Sequence, residues 1–130
     1  MKDINTYDVT GSIIPVHEDY RRIIAEFNSE EMDFSVQRFQ IREKIPLGNH
    51  YHAKKDEVFV ILKGKGKVTL QYLGVDFNSG IKTFDLAEGS VVHVEKNMAH
   101  TFVLEPGSEM ICFSTKAFDK DDMYPWVLVK

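Results

Sequence analysis

The sequence predicts an all-β domain, built as a double-sheet sandwich or a small barrel. Three observations carry this. From Asp33 onward, apolar and polar residues alternate in short runs. Residues with turn chemistry separate those runs at close spacing. Only one stretch, near the N-terminus, has the periodicity of a helix.

That stretch comes first along the chain. In HEDYRRIIAEFNSEE, residues Tyr20, Ile23, Ile24 and Phe27 recur at i, i+3, i+4 and i+7. Pro15 upstream and Asn28-Ser29 downstream could bound the segment, so residues 1–33 read as a short N-terminal helix or an extended arm. The strands follow in order: FSVQRFQIREKI, EVFVILKG, KVTLQYL, IKTFDL, SVVHVE, TFVLE and EMICFST. Pro46-Leu47-Gly48-Asn49, Gly64-Lys65-Gly66, the 76–80 stretch DFNSG, Glu88-Gly89 and Pro106-Gly107 stand between them as turns. Lys63-Gly64-Lys65-Gly66-Lys67 reads as a tight hairpin, because glycine accepts positive φ without steric cost. The tail over 116–130 ends in a last strand, with Pro125 and Trp126 ahead of it. That suits a sheet edge or a contact surface, where a missing N–H is tolerated.

Length and composition limit the function classes. A chain of 130 residues reads as one domain, 1–130, with a barrel core about 34–115. It buries about two thirds of its unfolded surface without needing a staple. Its net charge is −4, with acidic and basic residues interspersed and no Lys/Arg stripe, which argues against nucleic acid as a partner. No apolar run reaches the roughly 20 residues of a membrane span. The opening MKDINTYDVTGS lacks the apolar centre of a signal peptide. A single cysteine, Cys112, excludes an internal disulfide. The expectation is a cytoplasmic protein with no nucleic-acid or membrane partner.

The chemistry gathers in GNHYHAKKDEVFVILKG. On an extended segment His50 and His52 point to one side and Tyr51 to the other. The four residues AKKD turn the chain into a strand that begins with Glu57 and puts Glu57, Phe59 and Ile61 on one face. A glutamate facing inward is costly unless a cation neutralises it. His100 lies far along the chain, just before TFVLE and after a turn at Glu95 to Asn97. Three imidazoles and a carboxylate would form a mixed N/O site suited to Zn, Fe, Mn, Ni or Cu, and an octahedral ion would keep two positions open.

Gly48-Asn49-His50-Tyr51-His52, then Glu57, then Gly64 resembles the first motif of the cupin superfamily. Gly89 and, past a turn, His100 resemble the second, with Glu95 where proline is usual, Asn97 where glycine is and Leu104 where asparagine often follows. Asn97 can still adopt the left-handed turn conformation. The resemblance covers roughly Phe34 to Phe113. It implies an antiparallel double-sheet jelly-roll β-barrel that holds a divalent metal ion (Zn, Fe, Mn or Ni) through His50, His52, Glu57 and His100.

GNHYH, a lysine-bearing turn and E-x-F resemble the small cupins of bacterial surface-polysaccharide pathways, which act on nucleotide-linked deoxy-keto-sugars or form the C-terminal domain of capsule-synthesis reductases. Asp8-Val9-Thr10-Gly11-Ser12-Ile13 is similar to the D-x-R-G-S-L opening of related sugar ketoisomerases, without its arginine. The function implied is an isomerase or epimerase of a nucleotide-activated keto-sugar. A non-haem dioxygenase of a small molecule and a non-catalytic ligand-binding cupin are the alternatives. In the sugar chemistry a general base removes the proton beside the carbonyl while the metal polarises the carbonyl oxygen. His93 and Glu95 are the candidate bases, His93 if Val92 and Val94 pack outward and the ring looks into the barrel. Tyr72 and Tyr51 are further proton carriers. Arg38 and Arg42 share a strand face and could grip a diphosphate, with a solvated sheet face as the alternative. Lys54 and Lys55 sit at the mouth of the site and could steer an anion. His17 belongs to the helix start and Cys112 to core packing. The apolar PWVLV end and the resemblance together suggest a homodimer.

Overall fold

The computed structural model describes residues 11–74 and 80–130, and all its regular elements are strands. They are β1 Ile14–Glu18, β2 Arg22–Ser29, β3 Phe34–Ile41, β4 Leu47–Tyr51, β5 Glu57–Lys63, β6 Lys65–Tyr72, β7 Lys82–Ala87, β8 Val91–Val94, β9 Met98–Leu104, β10 Glu109–Ser114 and β11 Tyr124–Pro125. Two antiparallel sheets result, one ordered β1-β2-β3-β10-β5-β8 and the other β11-β4-β9-β6-β7. From β3 to β10 the chain changes sheet at every connection except β6 to β7, the winding of a jelly roll. Among the described residues the two sheets stay separate and do not close into a continuous barrel. No helix there is long and apolar enough to cross a membrane.

The early helix reading is overturned. Arg22 to Ser29 pair with β3 along their whole length, from Arg22↔Ile41 to Ser29↔Phe34. The ladder satisfies the backbone groups a helix would have satisfied internally. Of the four residues on the expected helix face, Ile24 packs against the core and Phe27 meets Phe34, while Tyr20 is 71% exposed. His17 lies in β1, where its Nε2 meets the Asp19 carboxylate. Asp8-Val9-Thr10 of the opening motif and residues 76–79 of the DFNSG turn lie outside the described residues.

The KGKGK hairpin is also corrected. β5 pairs with β10 and β8, whereas β6 pairs with β7 and β9, so Gly64 is a corner between sheets. Its φ of 88° is one that side chains avoid, and a Cβ there would meet Ser108 Oγ at 2.1 Å. In the tail only Tyr124 and Pro125 form a strand, at the edge beside Tyr51 and His50. The rest is held by Asn49, whose Oδ1 accepts N–H groups from Leu128 and Val129 and whose Nδ2 donates to the Val129 carbonyl.

The core fills the space between the sheets. Phe39, Ile41, Phe59, Ile61, Val92, Val94, Met110 and Cys112 come from one sheet, and Val68, Leu86, Phe102 and Leu104 from the other. Each large apolar side chain buried this way contributes roughly 1.5–3 kcal/mol. Phe59 and Phe102 join the two layers with ring centroids 4.6 Å apart. Beside this aromatic contact, at one end of the core, the apolar packing gives way to polar side chains.

Candidate metal centre

His50 lies in β4 and pairs directly with His100 in β9, so two residues fifty positions apart become cross-strand neighbours. Gly48 permits the approach: its φ is 117°, and a Cβ there would meet the His100 carbonyl oxygen at 2.5 Å. A register shift follows at Asn49, which has φ 56° and accepts the Thr101 hydroxyl at 2.7 Å. His52 stands just past the end of β4. The His50 ring centroid is 4.8 Å from that of His52 and 4.7 Å from that of His100. Ligand nitrogens of all three rings lie within 4.8 Å of one another. Asn97, with φ 64°, makes the left-handed turn that leads into β9.

Glu57 arrives from the opposite sheet. It is 3% exposed, and its Oε1 lies 3.2 Å from His52 Nε2 and 3.6 Å from His100 Nε2. The far nitrogens of both rings are engaged: His52 Nδ1 donates to the Asp122 carbonyl and His100 Nδ1 to the Met98 carbonyl. A carbonyl only accepts, so in each neutral ring the proton sits on Nδ1 and a lone pair on Nε2. Burial, then His100 and His52, lower the His50 pKa to about 3. Burial likewise lowers His100. Burial alone would raise Glu57, but the His52 ring, His100 and Lys55 outweigh it and hold the carboxyl at about 2.

In their neutral forms the His52 and His100 rings turn Nε2 lone pairs toward the Glu57 carboxylate. Glu57 Oε1 is buried and has no hydrogen-bond partner, the only such side-chain atom among the described residues. A buried carboxylate oxygen aimed at imidazole lone pairs is expensive in isolation. A divalent cation between them removes the conflict, and N/O donors of this kind suit Zn, Fe, Mn or Ni. The residues fit the metal on these grounds.

The group opens onto a cavity of about 280 Å³. Phe39, Phe59 and Phe102 form apolar parts of its wall, and Phe118 and Met123 come from the tail. Two cations also line it. Arg22 is 8% exposed, its guanidinium donates to the Pro46 carbonyl at 3.2 Å, and burial lowers its pKa. Lys55 is equally buried, with Nζ 3.8 Å from Glu57 Oε2. Asp122, 2% exposed, takes the Ala53 and Lys54 N–H groups on its two carboxylate oxygens and so fixes the turn after His52.

The other site residues expected from the sequence stand elsewhere. Val92 and Val94 face the core and His93 faces out, the reverse of what a catalytic His93 requires. The strand's buried face is the one with two valines, because they gain more from burial than a histidine does. Glu95 is an exposed turn residue whose carbonyl accepts the Met98 N–H. Tyr72 is 37% exposed on β6 and does not line the cavity. Tyr51 points outward and stacks on Tyr124. Arg38 lies on the outer face of β3 and Arg42 just past its end, held by Glu109 at 2.6 Å and by Glu18 at 3.3 Å respectively. Lys54 is exposed near Asp119, and the buried lysine is its neighbour Lys55.

Arg22 escaped notice because its segment read as helix. The sequence puts Lys55 at the mouth of the site beside Lys54, but an irregular turn has no alternation to show which of the two is buried. Nothing in the sequence signals Asp122. Cys112 is in the core as expected, but its thiol also reaches Glu57 Oε2 at 3.3 Å. Burial and the Glu57 charge push that thiol well above its ordinary pKa, keeping it S–H.

A family model described as "Polysaccharide biosynthesis C-terminal domain" matches residues 17–123. No curated protein sequence matches. Among solved structures, the chain is similar to the capsular polysaccharide assembling protein CapF of Staphylococcus aureus. The two share 22% identity and a TM-score of 0.72, over 93% of this chain and 33% of that one. It is also similar to a variant of the Bacillus subtilis oxalate decarboxylase OxdC, with 12% identity and a TM-score of 0.72 over 95% and 34% of the two chains. A third is Streptomyces PAC13, with 12% identity and a TM-score of 0.66 over 88% and 85%. The chain thus spans about a third of the length of CapF and of OxdC.

Proposed function

The chain belongs to the polysaccharide biosynthesis C-terminal domain family, with a cupin fold, and from that premise we propose a metal-dependent isomerase or epimerase of a nucleotide-activated keto-sugar. The observation that carries the reading is the unpartnered Glu57 Oε1 facing the imidazoles of His52 and His100, with His50 alongside. His50, His52, Glu57 and His100 hold the ion. When bound, a divalent cation supplies Lewis-acid polarisation of a carbonyl oxygen, which acidifies the neighbouring C–H.

The chain's own groups do the rest. Arg22 and Lys55 bring positive charge to the cavity, where negative charge develops on an enediolate. Phe39, Phe59 and Phe102 keep that part of the wall dry, which strengthens every charge interaction there. The substrate proton passes through a group on the cavity wall or a water, since His93, Glu95 and Tyr72 stand outside it. PAC13, which shares the fold, was solved with uridine, and this supports a nucleoside-bearing ligand. A homodimer belongs to the same reading, supported by Leu62, Val91 and Phe113 exposed on the outer face of one sheet.

The test is solvent exchange. In D2O, metal-loaded protein should place deuterium beside the carbonyl of a nucleotide-linked keto-sugar, and His50→Ala/His52→Ala should not. Exchange that survives both the double substitution and metal removal overturns the reading. A second reading, ligand binding without turnover, is favoured by one observation: the four expected proton carriers, His93, Glu95, Tyr72 and Tyr51, all miss the cavity. It predicts thermal stabilisation by the nucleotide sugar with no deuterium uptake.

A further inference from the structure

The two oxygens of Glu57 have different surroundings. Oε1 has no partner and faces His52 and His100. Oε2 is approached from the other side by Cys112 Sγ at 3.3 Å, Ser114 Oγ at 3.4 Å and Lys55 Nζ at 3.8 Å. Cys112 and Ser114 alternate on the inward face of β10, 0% and 4% exposed, and Ser114 is the direct cross-strand partner of Glu57. Their side chains also lie 3.8 Å from each other. Among the described residues the Ser114 hydroxyl and the Cys112 thiol have no other hydrogen-bond partner.

A carboxylate can give a metal one oxygen or both. Which it does depends on what else its oxygens must satisfy, and outer partners commonly orient ligands in this way. A thiol is a weak donor, and the hydroxyl contact is longer than the 2.7–2.8 Å typical of O–H···O, so neither is strong alone. Together they place two donors and a nearby ammonium on one oxygen and none on the other. A buried carboxylate oxygen without donors is costly, so without the thiol and hydroxyl Oε2 would have only the Lys55 ammonium at 3.8 Å and the metal to compensate it.

We infer that Cys112 and Ser114 are positioning residues that hold Glu57 Oε2, so that Glu57 meets the metal through Oε1 alone. The inference rests on the metal reading above and adds the coordination mode. Four protein donor atoms, one from each of His50, His52, Glu57 and His100, leave two positions on an octahedral ion, room for a substrate binding through two oxygens. A Glu57 that gave both oxygens would leave one. Cys112 serves as a donor to Glu57 and is not itself a ligand.

The experiment uses Co(II) as the probe, titrated into the metal-free protein and read by visible absorption, with folding checked by far-UV circular dichroism. The variants are Cys112→Ala/Ser114→Ala, which removes both donors, and Cys112→Ser, which keeps a donor at each position. The double variant should bind Co(II) roughly 10–100-fold more weakly, the usual effect of losing outer partners, with altered band positions and intensity. Cys112→Ser should keep the parent spectrum. Three results overturn the inference. One is a folded double variant with the parent's affinity and spectrum, even if its melting point falls, since that shows a packing role only. Another is a thiolate-to-Co(II) charge-transfer band in the parent that vanishes in Cys112→Ser, which makes Cys112 a ligand. The third is a parent protein that binds no Co(II), Zn(II) or Mn(II), and this alone also removes the metal reading.

Discussion

Glu57 and Glu109 occupy the same formal position. Each opens a strand of the same sheet, and each leads an alternating apolar run, EVFVILK and EMICFS. Their surroundings are opposite. The Glu109 side chain is a quarter exposed, and its Oε1 accepts Arg38 at 2.6 Å and Gln40 at 3.1 Å, the Arg38 guanidinium first among the causes that lower its pKa. Glu57 is buried, and its Oε1 receives nothing. One carboxylate is finished by its neighbours and the other is left open to the three imidazoles' corner of the cavity. A satisfied surface pair contributes little to stability. A buried carboxylate with one oxygen unpartnered keeps an acceptor free for a cation, and binding there would add to stability by mass action.

The sharpest way to break the comparison is to neutralise each glutamate without changing its shape. Glu57→Gln should weaken Zn(II) binding by about 1,000-fold, near 4 kcal/mol, measured by competition with a chelating dye. The same variant should make the metal-free protein less stable to urea at pH 7, because a carboxyl held at about 2 is one whose charge the fold favours over the unfolded chain. A Glu57→Gln protein that loses stability and keeps its affinity would make Glu57 an ordinary structural acid.

Metal removal comes next. At metal concentrations 100 times Kd, loading should add about 2.7 kcal/mol to the parent, raising its thermal midpoint by several degrees, and add nothing to His50→Ala/His52→Ala.

Acidification of the metal-free protein follows. The folded pKa of His50, about 3, lies below the 6.5 of a free imidazole, so between those values the unfolded chain binds more protons. Stability should therefore be full above pH 6.5 and decline as pH falls. The loss should reach about 2 kcal/mol from His50 by pH 5, with His100 adding in the same direction. Urea denaturation at pH 7 and pH 5 reads it, and a flat profile would mean the rings are not held neutral.

Asn49→Ala should cost about 1–2 kcal/mol. It removes the acceptor for Thr101, Leu128 and Val129, and so loosens the tail that carries Asp122 and Met123 over the site. Faster proteolysis of the C-terminus would accompany it. The smallest effect belongs to the surface glutamate: Glu109→Gln should change stability by less than about 1 kcal/mol and leave metal affinity untouched.

Alternation alone determined most of the strands from Phe34 to Ser114, since a sheet with one buried face must place apolar side chains at every second residue. It also put Glu57, Phe59 and Ile61 on one inward face, and the spacing of His50 and His52 brought those rings together. Periodicity failed at Arg22 to Ser29, where a helical spacing of isoleucines proved equally compatible with a strand once β3 supplied a pairing edge. It failed at Gly64, where local turn chemistry cannot tell a hairpin from a corner between sheets. Which face of β8 is inside, which of two adjacent lysines is buried, and which glutamate keeps a free oxygen depended on chain segments fifty or more residues away. Such contacts are made by sheet order and register, through forces that act between surfaces and leave no periodic trace in the sequence. The residue types able to hold a metal were therefore written along the chain, while only the folded packing of two sheets decided which of their atoms would be left without a partner.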